Sequence, residues 1–326
     1  MTWSVLVVGL GQIGMGYDLS LDPEAYVLTH ARAFAGHEAF ELVGAVELDP
    51  EKREAFEAHY VAPAFSDVTT AMRVLSPDVV AIATPTALHA ETVRAVLGGA
   101  VTPRAILCEK PLAYELSDAR LMLDEAQEKK CAVYVNYMRR AEPGVIEVKA
   151  RLLEGSIGAP YKGVVWYSKG LFNNGSHFLN LLQYWLGDVS NFQIIDQGRR
   201  WGGDPEPDFT LSFGDQRIFF IAAREENFSH YTIELIGSNG RLRYEKGGED
   251  ILWQGLKNDP AFSGYTILDG VGTKIETDYD RVQWHVVDQL ARSMKGFAAH
   301  ICTGAEALNT IEVLTAIKEK LCRQAS

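Results

Sequence analysis

The chain has 326 residues, 47% apolar and 23% charged, the proportions of an ordinary globular protein long enough for two domains. Its net charge of −12 at pH 7 argues against nucleic acid and anionic membrane as partners. No apolar run approaches the roughly 20 residues of a membrane span, and the scattered cysteines, Cys108, Cys131, Cys302 and Cys322, lack metal-ligand spacing. The expectation is a cytoplasmic protein with reduced thiols and no bound metal.

Residues 4–8 open the chain as a short apolar strand, and strands are expected again at 41–46, 78–83, 104–108 and 131–136. Helical stretches at 50–59, 87–97 and 117–129 lie between them, the last with Ser117 as its N-cap. Such alternation builds βαβ units and a doubly wound parallel sheet. After Asn136 the pattern changes. A helix at 143–154 and another after Ser176 precede apolar strands at 209–213, 217–223, 231–236 and 241–245. With turns at Gly214-Asp215 and Ser238-Asn239-Gly240, these read as an antiparallel meander, to which 251–254 adds a strand. A helix at 305–320 closes the chain. The expected fold is an N-terminal α/β domain over 1–136 and a C-terminal α+β domain over 137–326, the latter with an open, mainly antiparallel sheet. The closing helix is free to pack back on the first domain.

Gly9-Leu10-Gly11-Gln12-Ile13-Gly14 follows the first strand and forms a GxGxxG, the Rossmann dinucleotide fingerprint. Gly9 permits the tight turn, Gly11 the approach of a pyrophosphate to the backbone, and Gly14 close helix–strand packing. Glu47 ends the second strand, where a carboxylate accepts hydrogen bonds from ribose hydroxyls and repels a 2′-phosphate. NAD is therefore expected over NADP, with Lys52 and Arg53 nearby as the counter-signal. Gly16-Tyr17-Asp18 and Leu21-Asp22-Pro23 interrupt the helix that usually follows, and a helical pattern resumes near Thr29.

Two further groups carry chemistry. Glu109-Lys110-Pro111 stands at the carboxyl end of the fourth strand, where open α/β sheets place their ligands. The run from Asn173 to Gly187 puts Asn173, His177 and Asn180 on one helical face, with Phe178, Leu181, Leu182 and Trp185 on the other.

Taken together, these residues resemble the Gfo/Idh/MocA family of sugar and cyclitol oxidoreductases. The resemblance also takes in Ala83-Thr84-Pro85-Thr86 with His89, Tyr137-Met138-Arg139-Arg140, and the Gly237-Ser238-Asn239-Gly240 turn. It implies hydride transfer between a nicotinamide cofactor and a hydroxyl or keto carbon of a sugar, cyclitol or nucleotide sugar. Lys110 and His177 are the implied catalytic pair. Gly9, Gly11, Gln12, Ile13, Gly14, Glu47, Thr84, Pro85, His89, Glu109 and Lys110 would contact the cofactor. A general acid/base for a carbinol needs a pKa near neutrality, which histidine has unperturbed; lysine would need a depressed one.

The family commonly has an aspartate four residues before the histidine and often an acid three residues after it. Asn173 and Asn180 are amides, which orient a hydroxyl but take no proton. Arg139, Arg140, Tyr167 and Lys169 are the other candidate substrate contacts, the two arginines as holders of an anionic group. A non-catalytic NAD(H)-bound sensor and an NAD-using lyase or hydrolase stand as the alternatives. A homodimer or homotetramer through the C-terminal sheet is expected, with Phe219, Phe220 and Ile221 in the contact strand.

Overall fold

Val79–Ile82 and Ala105–Cys108 bury every side chain, the mark of strands covered on both faces. They form the middle of a seven-stranded sheet in a computed structural model that describes residues 2–158 and 160–325. Across that sheet the order is Cys302–Thr303, Ala132–Val135, Ala105–Cys108, Val79–Ile82, Trp3–Val8, Phe40–Val46 and Ala64–Phe65. All pairs are parallel except Cys302–Thr303 against Ala132–Val135. Side chains alternate faces along each strand. Val5, Val7, Val79, Ala81, Ala105 and Leu107 enter one core, and Leu6, Val8, Val80, Ile82, Ile106 and Cys108 the other.

Contacts divide the chain into two compact units, 1–141 with 280–311, and 142–279 with 312–326. The division thus falls at Ala141, not at the expected 136, and residues 280–311 return to the first unit.

The helix after the fingerprint is a single wide turn, Gln12–Gly16. The chain then loops out and re-enters at the helix His30–Gly36. Asp18, fully buried, holds the loop: it accepts from Leu28 N at 2.6 Å, Thr29 N at 3.0 Å and Thr29 Oγ1 at 2.7 Å. Val27 pairs with Asp280 and Gln283 through backbone bonds. Sequence reading passed over the helix Val68–Leu75, capped by Asp67, because Val68-Thr69-Thr70 opens it with β-branched residues of poor helix propensity. Ser117 is not an N-cap: the helix Leu116–Glu128 starts one residue earlier, with Glu115 as its cap residue.

In the second unit, nine strands form one mixed sheet among the described residues. The expected meander is broken. Pro160–Tyr167 lies between Gln216–Ala222 and Thr232–Gly237, parallel to the first and antiparallel to the second. A further strand, Asn191–Trp201, makes the far edge against Asp204–Phe213. Its side chains are mostly exposed, so it lacks the apolar run that would reveal it. One sheet face, with Val165, Phe209, Leu211, Phe220, Leu235 and Leu242, packs on Phe178, Leu181, Leu182 and Trp185 of the helix Ser176–Leu186. Phe220 belongs to that core, whereas Phe219 and Ile221 sit half-buried on the opposite face with Val164 and Trp166.

Candidate active site

The carboxyl ends of three parallel strands open onto a cleft of about 880 Å³ in the first unit. Its walls include Gly9, Gly11, Gln12, Ile13, Glu47, Lys52, Asp67, Thr84 and Pro85. Gly9 has φ +98°, and a Cβ there would come within 2.8 Å of the Ala83 carbonyl carbon. Only glycine permits that conformation and approach. At Gly14 a Cβ would stand 2.0 Å from Gly9 O, whereas at Gly11 it would meet nothing within 4 Å. The first and third glycines thus pack protein on protein, and the second leaves space. The Gln12–Gly16 turn has leading N–H groups with no intrahelical acceptor, the donor set a phosphate requires. These residues fit a dinucleotide.

Glu47 is half-buried. Its Oε2 accepts from Leu10 N at 2.8 Å, and its Oε1 from Leu48 N at 2.8 Å and Asp49 N at 3.2 Å. The carboxylate is therefore fixed against the fingerprint loop. Arg53 Nη1 donates to Glu47 O and Leu48 O, both at 2.7 Å, which ties this guanidinium to the strand end.

His89 does not face the cleft. It is fully buried, with Nε2 2.9 Å from Thr84 O and Nδ1 3.2 and 3.1 Å from the carbonyl oxygens of Pro111 and Leu112. Burial pushes the ring below its ordinary pKa, against the pull of those carbonyls. In place of the expected cofactor contact, it clamps the Glu-Lys-Pro loop to the neighbouring strand end. Glu109 is buried in a network with His30, Asn136 and Gln283, and Lys110 beside it is half-buried. No local motif marks His30 or Gln283, because their pairing spans distant segments.

Arg139 and Arg140 lie in the turn Met138–Ala141, and both are buried. Arg140 Nη2 pairs with Glu306 Oε1 at 2.5 Å, an ion pair within the first unit.

In the second unit, Gly170–Gly175 forms a wide turn that leads into the helix Ser176–Leu186. Asn173 is exposed, while His177 and Asn180 are buried at 6% and 1% exposure. The expected polar face of this helix is thus not open to solvent. Two acids missed by sequence reading brace the turn. Asp204 accepts from Phe172 N at 3.0 Å and Asn173 N at 2.9 Å, and Glu206 from Gly170 N at 3.1 Å. Burial pushes the Asp204 carboxyl up in spite of those bonds.

Tyr167 is a correction. Tyr167 is fully buried and its hydroxyl donates to Pro207 O at 2.5 Å, so it belongs to the core. Lys169 Nζ sits 2.9 Å from Glu225 Oε1. Glu225 also accepts from Ser168, Ser229 and Tyr231 hydroxyls at 2.7, 2.6 and 2.6 Å. Burial would raise the Glu225 carboxyl, but these donors hold it at about 2. Among the described residues there is no cluster of side chains able to hold a metal, and no helix long and apolar enough to cross a membrane.

A glycine cradle after the first strand and an acid just past the second define a dinucleotide-binding α/β domain. Residues 3–137 match the model of the Gfo/Idh/MocA oxidoreductase family, an NAD-binding Rossmann fold. The inositol 2-dehydrogenase/D-chiro-inositol 3-dehydrogenase of Lacticaseibacillus casei is 31% identical over 163 residues, 49% of this chain and 43% of that one. The inositol 2-dehydrogenase of Rhizobium meliloti is 25% identical over 239 residues, 66% of this chain and 71% of that one. The match therefore spans less than half of the L. casei enzyme. Among solved structures, an NAD-binding oxidoreductase from Klebsiella pneumoniae superposes with a TM-score of 0.79 at 18% identity, covering 99% and 98% of the two chains. The WlbA dehydrogenase from Bordetella pertussis, in complex with NADH and UDP-GlcNAcA, gives 0.75 at 20% identity, covering 100% and 96%. These two show the shared fold.

Proposed function

We propose that the protein is an NAD-dependent dehydrogenase or reductase acting on a hydroxyl-bearing carbon of a sugar, cyclitol or nucleotide sugar. The observation that carries this reading is the Gly9–Gly14 cradle opening onto the same sheet edge as Glu47 and the Glu109-Lys110 loop. The dehydrogenase names of the matched relatives support it. The Gly9–Gly14 cradle carries the proposed cofactor contacts, and the turn and helix around His177 carry proposed substrate contacts.

Gly9, Gly11, Gln12 and Ile13 line the phosphates, Thr84 and Pro85 the opposite wall. Glu47 takes the ribose hydroxyls. NAD is preferred because the Glu47 carboxylate repels a 2′-phosphate and Arg53 is spent on carbonyls. Bound nicotinamide supplies the hydride acceptor or donor. Lys110 donates a hydrogen bond to the reacting oxygen, and a ring nitrogen of His177 takes the hydroxyl proton as the carbonyl forms. Asn173 and Asn180 orient neighbouring hydroxyls without titrating. A cytoplasmic setting agrees with four cysteines that form no disulfide. The sheet face of half-buried Val164, Phe219 and Ile221 with exposed Trp166 is the proposed contact between copies of the chain.

The test is direct. Nicotinamide binding is read by NADH fluorescence, and turnover by absorbance change on a panel of sugars, cyclitols and nucleotide sugars. Turnover lost in Lys110→Ala and His177→Ala is expected. Tight NADH binding with no turnover across a broad panel overturns the reading.

A further inference from the structure

Residues 17–28 stand where the helix after a fingerprint usually continues, and they take no part in the chemistry of Lys110 and His177. Their loop is firmly built. Asp18 near its start holds Leu28 and Thr29 at its end. Arg32, on the helix His30–Gly36, brings its Nε to 3.6 Å from Asp18 Oδ1. Its Nη1 donates to Leu21 O at 3.0 Å and to Tyr26 O at 3.2 Å, which pins the middle of the loop. Leu19 and Val27 pack in one core with Met15, and with Phe56 and Tyr60 of the helix Pro50–Tyr60. Compact loops of this closed kind, packed by their own side chains, frequently serve function.

Tyr17 is the residue this loop presents. Gly16 N donates to Gly11 O at 3.0 Å and Tyr17 N to Gln12 O at 2.9 Å, the i→i+5 bonding of a wide turn. In an α-helix Gly16 would stand one turn above Gln12; the wide turn puts Tyr17 there instead. Exposure follows that geometry: Gln12, Gly16 and Tyr17 are open, while Gly14, Met15 and Asp18 are buried. A Cβ on Gly16 would come within 2.7 Å of Gln12 Oε1, so the Gln12 side chain lies back across the glycine. Tyr17 is 58% exposed and lines the same cleft as Gln12, Ile13, Glu47 and Lys52. A lone exposed tyrosine is ordinary. This one is followed by a fully buried acid that fixes its backbone. Leu48, 79% exposed, and Leu88, 42% exposed, open onto the same cleft. Apolar and aromatic surfaces gathered around one cleft are what a flat base and its sugar would cover.

We infer that Tyr17 is a cofactor-binding residue supplied by the insertion, its ring packed against the adenosine half of the dinucleotide. Asp18, Thr29 and Arg32 are positioning residues that act through it. The inference rests on the cofactor reading above and adds a contact from outside the fingerprint. It assigns the adenosine half because Glu47, Leu48 and Lys52, which share the cleft with Tyr17, follow the second strand and open its helix.

The experiment needs no substrate. NADH is titrated against the full chain by fluorescence, and ADP-ribose, the dinucleotide without its nicotinamide, by calorimetry. Tyr17→Ala should bind both about tenfold more weakly, the order of effect that stacking on an aromatic ring gives. Tyr17→Phe, which keeps the ring, should bind both as the wild type does. Wild-type affinity in Tyr17→Ala overturns the proposal. A loss confined to NADH does so too, because it puts the ring at the nicotinamide, and so does a Tyr17→Phe variant as weak as Tyr17→Ala. The positioning role is read at Thr29, which is fully buried and whose hydroxyl donates to Asp18 at 2.7 Å. Thr29→Val should quicken hydrogen exchange over residues 19–28 and weaken NADH binding several-fold, whereas Thr29→Ser should do neither. An unmoved NADH affinity in Thr29→Val overturns the positioning role. A wild-type chain that binds neither NADH nor ADP-ribose refutes the cofactor reading itself. Binding of both that is indifferent to Tyr17→Ala refutes the Tyr17 contact alone.

Discussion

Gly11 and Gly14 lie three residues apart in one motif, yet alanine should do different things at each. Gly11 has φ −70° and ψ −163°, an extended conformation that alanine adopts freely, and a Cβ there meets nothing within 4 Å. Gly11→Ala keeps every native contact and narrows only the unfolded ensemble, which adds about 0.4–1 kcal/mol of stability. At about 2–4 °C per kcal/mol, the first unit should melt roughly 1–4 °C higher. The same methyl fills the space through which a pyrophosphate approaches the backbone. NADH affinity should fall more than tenfold, a loss above about 1.4 kcal/mol. Gly14→Ala instead drives a Cβ to 2.0 Å from Gly9 O. Carbon and oxygen need well over an ångström more than that, so the turn must move, at a cost of about 1–3 kcal/mol. That variant should lose both stability and affinity. Thermal unfolding by circular dichroism and NADH fluorescence titration separate the cases. Wild-type NADH binding by Gly11→Ala, or a wild-type melt of Gly14→Ala, refutes the reasoning.

Three more predictions rest on single side chains. Glu225 has a folded pKa of about 2 against an ordinary 4.5, so its contribution to stability is present above 4.5 and drains away as pH falls toward 2. Glu225→Gln should flatten the dependence of urea unfolding on pH in that window; an unchanged slope counts against the assigned hydrogen bonds. Tyr167→Phe strands the Pro207 carbonyl and should destabilise the second unit by about 1–3 kcal/mol, with substrate KM unmoved. A KM shift without a stability loss would return Tyr167 to the substrate site. Glu47→Ala should weaken NAD binding and narrow the preference over NADP, both read by isothermal titration; an unaltered ratio sinks the ribose assignment.

What could be read from the sequence was local. Parallel strands buried on both faces show as continuous apolar runs, and the fingerprint glycines carry their own backbone demands at Gly9 and Gly14. Pairing across long separations leaves no such trace. Nothing near residue 160 announces that its strand will separate two hairpins that look adjacent. Orientation was equally hidden in 164–167: Val164 and Trp166 alternate with Val165 and Tyr167, and all four are apolar enough for either face. Tyr167 turned inward, which removed it from the substrate candidates. The amides at 173 and 180 show the same limit from another side. Read along the chain, Asn173 and Asn180 empty the turn of acids. In the folded unit Asp204 and Glu206 bring carboxylates back to it from a distant strand, but these grip the backbone N–H groups of Gly170, Phe172 and Asn173. Charge near the turn is thus restored without restoring an acid to the residues that precede and follow His177. An acid engaged by backbone donors positions a turn, which is a different task from taking a proton. Of the residues on this turn and helix, His177 keeps the chemistry suited to that second task.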